Sequence, residues 1–486
     1  MAFTSSIFLF VFFPLCLGGY YLAAGVERGA AALRRLRLPD LFLVCASMVF
    51  YAWAAFDGAL WLVGYVLLAF LLGRVIAGMP KGTPARLLAA GCSVLVVVLL
   101  LVYFKYYNFS VTTVNRLFSL SIATRSIVAP LGVSFITFSA VSYFADISRG
   151  DAKPGSLLDT ALYLTFFPKV ISGPIAQWKD FAPFVNEHER RFDSALFLHG
   201  LNRIVIGFAK KLILADIFGA LIAEIEGNLS VGMDQPTAWG VAFLYMLQIY
   251  YDFSAYSDIA IGLSELFGIR MKENFNFPYL SRSITEFWRR WHISLSTWLR
   301  DYLYISLGGN RKGRIRTYGN LLLTMLLGGL WHGAAVRFIL WGGLHGAALA
   351  LHKLWMALVP GAKATGSQMH WWSRAAGMLL TFNIVCLGWL MFRAESMQTV
   401  SLMLHQIFEN FNAAMIPQVV TGYAAVFALI AAGYILHLLP SAVDAVAQRI
   451  VVHAPLVLQV LMAAAMIWCV MQIKSSDIQP FIYFQF

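Results

Sequence analysis

The apolar residues of this chain come in long unbroken runs separated by short polar stretches. Residues 41–56, 58–78, 87–104, 129–147, 204–223, 237–266, 319–335, 376–392, 419–439 and 455–473 each approach or exceed the ~20 residues that cross hydrocarbon as helix. Segments 3–24, 157–172 and 336–358 join that set. The runs are continuous and do not alternate with period two, which excludes a β-barrel. The pattern predicts an all-α integral membrane protein of about 10–13 helices, some of them short or half-crossing. No polar linker or fixed repeat divides it, so 1–486 reads as a single multi-span domain. Within it, 1–150 supply N-terminal spans, 151–360 a core with re-entrant elements, and 361–486 C-terminal spans.

Two stretches depart from plain membrane helix. Between 268 and 318 the chain is too polar to span yet rich in aromatic rings, and eight basic residues from Arg282 to Arg316 face only Glu286 and Asp301. Ile284, Phe287, Trp288, Trp291, Leu295 and Trp298 fall near three-and-four spacing, one face of an amphipathic helix. Such a segment suits an interfacial or re-entrant position. The other stretch, YLTFFPKVISGPIAQWKDFAPF, places Pro168, Gly173, Pro174 and Pro183 within sixteen residues. Broken backbone at membrane depth is tolerated only inside protein or along a wet cavity, so the bundle is expected to enclose a central funnel.

Composition narrows the class further. Hydrophobic residues make up 60% of the chain and charged residues 12%, with a mean hydropathy of +0.71. A soluble domain carries about 25% charged residues. The net charge of +12 is not a nucleic-acid footprint, because basic residues sit between spans as the positive-inside rule requires. Arg28, Arg34, Arg35 and Arg37 against Glu27 and Asp40 place the first loop in the cytoplasm and the N-terminus outside. The first run lacks a basic leader and is read as a retained helix. Cys16, Cys45, Cys92, Cys386 and Cys469 stand singly in apolar runs, without spacing for a metal or a disulfide, and read as small buried hydrophobes.

Candidate chemistry lies with the histidines. His332 sits in MLLGGLWHGAAVRF, inside an apolar run where a polar ring is costly. On a helix Gly328 and Gly329 lie one turn before it and Ala335 follows, a nearly side-chain-free wall that admits a slender ligand. The same glycines equally suit a helix-packing histidine. His292 sits within the aromatic face of the 268–318 block, and His345, in LWGGLHGAALA, favours packing. His188 and His199 fall in or beside polar loop sequence, and His370, His405, His437 and His453 show no constellation around them. An imidazole near its ordinary pKa of ~6.5 can take a hydroxyl proton as the oxygen attacks a thioester. No HExxH, Walker or GxGxxG pattern competes.

The stretch from Tyr245 to His345 resembles the core of the membrane-bound O-acyltransferase superfamily, in its AlgI-like alginate O-acetylation branch. The motifs are QIYYDFSAYSDIAIGL, ENFNFPYLSRSITEFWRRWHISLSTWLRDYLYISLGGNR, and LTMLLGGLWHG followed by WGGLHG. YFKYYNF near 103, PLGVSFITF near 130, FFPKVISGPI near 167, GWLMFRAE near 388 and the terminal PFIYFQF also fit. The resemblance implies that His332 is the catalytic histidine and His292 the second implicated position. It implies a bundle with re-entrant helices around a funnel, in the bacterial inner membrane. The activity implied is O-acetyl transfer from acetyl-CoA or another cytoplasmic acetyl thioester to an exported polysaccharide such as alginate or cellulose, with no bound cofactor or metal.

Arg289, Arg290 and Arg300 are expected to meet the phosphates of the donor. Trp331, Gly328, Gly329 and Asp258 complete the substrate- and donor-binding set, with His345 and Asp301 in support. A periplasmic SGNH-type acetyltransferase and the polysaccharide synthesis and secretion complex are the implied partners, beside the lipid bilayer. The alternatives are D-alanyl or peptidoglycan acyl transfer on the same fold, and a non-catalytic exporter or scaffold. An exporter predicts paired intramembrane acids and internal symmetry, and Asp252 and Asp258, the only close acidic pair near an apolar segment, have no mirror image.

Overall fold

The computed structural model describes residues 1–186, 192–227, 235–359, 370–409, 414–422 and 424–439, with scattered positions between 446 and 481. His188, His453, Cys469 and most of the 455–473 run lie outside the described residues. Every regular element among the described residues is helical. The chain divides into two compact units, one of Met1–Ile204 with Ser257–Lys272 and the other of Val205–Tyr256 with Glu273–Phe486.

The first unit begins with α1 (Phe13–Gly29), α2 (Leu38–Ala54), α3 (Phe56–Gly78) and α4 (Pro84–Leu101). Together with short flanking turns they form four apolar stretches long enough to cross a membrane, Phe8–Gly29, Ala32–Ala54, Phe56–Gly78 and Pro84–Phe118. Only 17–39% of each hydrophobic window is buried inside the protein. Leu22, Leu71 and Leu88 point outward at 60–70% exposure. A face so apolar has no place in water, and lipid is its natural solvent. Cys45 and Cys92 also lie on these outward faces, whereas Cys16 and Cys386 are buried.

The helix of the 87–104 run continues past its apolar end. A π-helical turn at Val102–Tyr106 carries the chain without a break into α5 (Tyr107–Phe118). No proline or glycine interrupts 85–90 or 92–118, so nothing stops the helix. Two asparagines one helical face apart then hold the following segment. Asn108 donates to the Arg125 carbonyl at 2.8 Å and Asn115 to that of Ile122 at 2.8 Å, and each accepts the same residue's N–H.

α6 (Val133–Arg149) is buried along nearly its whole length. It starts at Gly132, whose positive φ and close approach to the Val170 carbonyl leave no room for a side chain. α7 (Leu157–Thr165) opens with a capping box between Ser156 and Asp159. The 157–172 run does not make one span: α7 stops at Thr165, and the Pro168–Pro174 stretch turns back through protein interior before α8 (Trp178–Asn186). Phe166, Phe167, Lys169, Ile171 and Ser172 are all nearly fully buried, which satisfies the rule for broken backbone. Lys169 donates to Ser139 Oγ at 3.3 Å and lies 4.5 Å from the centre of the Tyr163 ring.

α9 (Ser194–Ala209) and α11 (Gln235–Leu266) run from one unit into the other, with α10 (Asp216–Gly227) between them. His199 lies within α9 rather than a loop, 2.7 Å from Glu265. The second unit continues with α12 (Ile284–Arg290), α13 (Ile293–Trp298), α14 (Arg314–His332), α15 (Val336–Leu358) and α16 (Trp371–Arg393). It ends, among the described residues, with α17 (Met397–Glu409), α18 (Met415–Gly422) and α19 (Ala424–Leu438). α16 is the fifth stretch apolar enough to span, and Ile416–Gly422 with Ala424–Leu438 form a pair bent by 84°. α11, α14 and α15 are long enough but dilute their apolar residues with tyrosine, glycine, histidine and charge. Of the candidate histidines, His332 lies on α14 and His345 on α15, whereas His292 lies between α12 and α13.

Candidate active site

The site is built wholly within the second unit, from the 274–298 block and the α14–α15 hairpin. Ser283 caps α12 by accepting the Glu286 N–H at 3.2 Å. Glu286 in turn binds Arg282 at 2.9 Å and Arg290 at 2.8 Å. The helix then breaks. Trp291 is extended, His292 adopts a left-handed φ of 43°, and α13 starts afresh. This break swings His292 inward.

The six residues expected on one amphipathic face, Ile284 through Trp298, are all at most 8% exposed. Their rings therefore pack inside protein instead of lying along a membrane interface. The reason is visible in their partners: Phe287 stacks on Trp291 at 5.7 Å, and Trp291 meets Trp389 of α16 at 4.8 Å.

Asn274 holds the break in place. Its Oδ1 accepts from Ser294 N–H at 3.2 Å and Ser294 Oγ–H at 2.7 Å, and lies 3.2 Å from His292 Nδ1. That pairing makes Nδ1 the protonated nitrogen and gives the lone pair to Nε2. His292 is 1% exposed, against Phe253 at 4.7 Å, and burial pushes its imidazole down to about 3. It is neutral at any working pH.

His332 is the last residue of α14, not a mid-helix residue. Gly333 and Ala335 are extended, so Ala335 does not share a helical face with it. The glycines beside it do not open a gap. A Cβ on Gly329 would lie 2.1 Å from the Phe338 carbonyl, one on Gly342 2.2 Å from that of Met325, and one on Gly328 3.2 Å from Leu299. The bare faces are filled by α15 and by Leu299, so these glycines serve close helix packing. Gly333 has its own role, because a Cβ there would strike the Phe338 ring at 2.2 Å. That ring then closes on His332.

The His332 imidazole is 5% exposed and walled by rings: Trp331 at 4.8 Å, Phe392 at 5.0 Å, Trp341 at 5.1 Å and Phe338 at 6.4 Å. Trp331 also reaches His292 at 6.3 Å, so one indole neighbours both histidines. Trp341 continues the chain of rings to His345 at 4.8 Å. Three of the histidines singled out in the sequence thus share one aromatic interior. His437 joins it as well, accepting the Tyr279 N–H at 3.2 Å and meeting Tyr250 at 4.7 Å.

The remaining candidates fall elsewhere. Arg289 is exposed, Arg290 is committed to Glu286 and the Asn276 carbonyl, and Arg300, 62% exposed, pairs with Asp301 at 2.7 Å. Asp258 belongs to the first unit, where Arg203 holds it at 3.0 Å. Asp252 stays in the second unit and binds Lys211, which also reaches Asp216 at 2.8 Å. The two acids of the sequence pair therefore serve separate ion pairs. Reading the sequence missed Trp341, although it stands four residues before His345 on one helix face. It also missed Asn274, Lys211 and the enclosing Phe338 and Phe392, for which no local spacing gives a signal.

Buried histidines in an aromatic interior make this the candidate site, closed to bulk water. The sequence profile of the membrane-bound O-acyltransferase family matches residues 49–393, and the chain belongs to that family. It is a multi-pass membrane O-acyltransferase. It is 42% identical over 419 residues to the probable alginate O-acetylase AlgI of Pseudomonas aeruginosa, covering 84% of this chain and 75% of that one. Similarity to the peptidoglycan O-acetyltransferase of Helicobacter pylori is 32% over 426 residues, covering 82% and 78%. To the teichoic acid D-alanyltransferase of Streptococcus thermophilus it is 31% over 287 residues, covering 55% and 69%.

Proposed function

We propose that this chain, in the bacterial inner membrane, passes acetyl groups from a cytoplasmic acetyl thioester such as acetyl-CoA toward an exported polysaccharide. The observation that carries the reading is the burial of His332 and His292, both neighbours of Trp331. A water-excluding interior strengthens electrostatic interactions and keeps the thioester from hydrolysis. Similarity to the alginate O-acetylase over 84% of the chain, against 55% for the D-alanyltransferase, supports acetyl over D-alanyl transfer.

In this reading His332 is the general base. It takes the proton of the attacking hydroxyl as the new C–O bond forms, then returns it to the departing thiolate as the C–S bond breaks. Because His292 is held neutral with its lone pair on Nε2, it serves as an acceptor or orienting group and not as a charge. Trp331, a neighbour of both, lines the path of the acyl group. Arg289 offers an exposed guanidinium to donor phosphates, and Arg300 stands near the same block; both suit phosphate by charge and geometry. A periplasmic SGNH-type partner receives the acetyl group and distributes it along the polymer, working beside the synthesis and secretion complex.

The test is the acetate content of each exported polymer in a strain lacking this chain. One polymer should lose its acetyl esters and regain them with the wild-type chain, and not with His332→Ala. Unchanged acetylation of every exported polymer would refute the proposal.

A further inference from the structure

The corner where α15 begins and α16 ends carries two arginines beside the His332 site. Arg337, the second residue of α15, donates through Nη1 to the Phe392 carbonyl at 2.7 Å and to that of Ala394. Arg393, the last residue of α16, holds its guanidinium 5.2 Å from the centre of the Tyr245 ring. Both arginines are half-buried. Each is the chain neighbour of a ring that walls His332, Phe338 in one case and Phe392 in the other. The Tyr245 phenol of α11 lies within electrostatic reach of both guanidinium groups.

Capping the end of α16 accounts for Arg337 Nη1 and for nothing else on that side chain. Among the described residues its Nε and Nη2 have no acceptor and its charge has no ion pair. Glu395 is exposed and acts on it only from beyond ion-pair distance. Tyr245 is 3% exposed, and among the described residues its hydroxyl makes no hydrogen bond. A buried hydroxyl and a half-buried cation both call for a partner. One carboxylate would satisfy both, since a guanidinium fork donates to its two oxygens and the phenol can donate as well.

By the positive-inside rule this corner faces the periplasm. α14 starts among Arg311, Lys312, Arg314 and Arg316, a basic cluster that belongs in the cytoplasm. Its length of about 28 Å is roughly the hydrocarbon thickness, so Gly333 and, beyond it, Arg337 lie at the opposite side. The thioester donor arrives from the cytoplasm, so an anion met at this end belongs to the acceptor.

We propose that Arg337, Arg393 and the Tyr245 hydroxyl form an acceptor subsite that binds the carboxylate of an acidic sugar at the outer edge of the His332 site. This inference rests on the acetyl-transfer reading above and narrows its polysaccharide to one that carries carboxylates, which a neutral glucan lacks. The guanidinium groups balance the charge, and Tyr245 donates a further hydrogen bond.

The test measures binding to the purified full-length chain in detergent. Its probes are a short oligomannuronate, the same oligomer with its carboxylates reduced to alcohols, and acetyl-CoA. Wild type should bind the oligomannuronate at least about tenfold tighter than the reduced form, as charged hydrogen bonds would require. Tyr245→Phe removes one oxygen and keeps the ring, and Arg337→Gln keeps an N–H for the two carbonyls. Each should weaken the acidic oligomer by about tenfold and leave acetyl-CoA binding within about twofold of wild type. Equal affinity of wild type for the two oligomers overturns the proposal. So does unchanged oligomannuronate affinity in variants that melt like wild type. Loss of acetyl-CoA affinity in place of oligomer affinity overturns it too, because the arginines would then serve the donor. In parallel, inside-out vesicles of the deletion strain carrying the wild-type chain are given labelled acetyl-CoA. Selective binding with no acetyl transfer in those vesicles overturns the parent reading and the acceptor role with it. Transfer without selective binding overturns this proposal alone.

Discussion

The rings of His332 and Trp341 meet edge to face, their centres 5.1 Å apart and their planes at 87°. This contact joins the last residue of α14 to the second turn of α15, and it depends on the hairpin bringing those helices together without intervening side chains. Gly329→Ala should therefore disturb the site without touching the imidazole. A methyl 2.1 Å from the Phe338 carbonyl has no flexible neighbour to push aside. Overpacking of that kind costs roughly 1–3 kcal/mol. Thermal unfolding in detergent should show a clearly lowered midpoint, and an unchanged midpoint would mean that the helices are less close than described.

Gly333→Ala should separate packing from chemistry in another way. The added methyl meets the edge of the Phe338 ring at 2.2 Å, and a ring can swing. Transfer should fall more than stability, because the ring that moves is one of the walls of His332. The paired readout is melting temperature against initial transfer rate. A large loss of stability with no specific loss of rate would contradict this.

His292 gives a prediction about pH. Its native pKa of about 3 lies below the ordinary 6.5, so the unfolded chain binds a proton that the folded chain refuses between those values. Its contribution to stability is complete above about 6.5 and is lost progressively as pH falls. His292→Asn should unfold less steeply in acid than wild type. The pH–rate profile of the wild type above about pH 5 should show no limb belonging to His292. Imidazole NMR or a variant whose profile shifts its acid limb would decide against a neutral His292.

Within the second unit, Lys211 is 1% exposed on its side chain and sits between Asp252 at 2.7 Å and Asp216 at 2.8 Å. Lys211→Met would remove the ammonium that the buried Asp252 and the partly buried Asp216 share. Breaking a buried pair in this way costs about 3–5 kcal/mol. Expression in the membrane fraction should collapse, and Lys211→Met with Asp252→Asn should recover part of it. Equal accumulation of the single variant and wild type would show that the cluster is not needed for folding.

How much of this was legible beforehand follows from what each signal depends on. Apolar runs revealed the helical membrane class and the positions of α2, α3, α4, α6 and α16, because lipid demands unbroken apolar length. The prolines and glycines of 168–174 marked the broken run correctly, and burial in protein resolved how its backbone is tolerated. The apolar run ends at 104 although the helix goes on to Phe118, because α5 is polar enough to carry Asn108 and Asn115, which bind Arg125 and Ile122. His332 and His292 stood out as costly rings in apolar settings. The glycines around His332 left an open wall and close helix packing equally in play, since spacing cannot distinguish an empty wall from one filled by another helix; the fold decides for packing. Asn274 lies eighteen residues before His292, and only the fold brings them together.

The central claim is that His332 carries the proton in acetyl transfer. Its most direct measurement uses inside-out vesicles holding equal amounts of wild-type or His332→Ala chain, given labelled acetyl-CoA, with acetyl ester on enclosed polymer as the readout. Wild type should transfer, and His332→Ala should be slower by at least about 10²-fold, the usual loss on removing a general base. A His332→Ala rate near that of wild type would contradict the account.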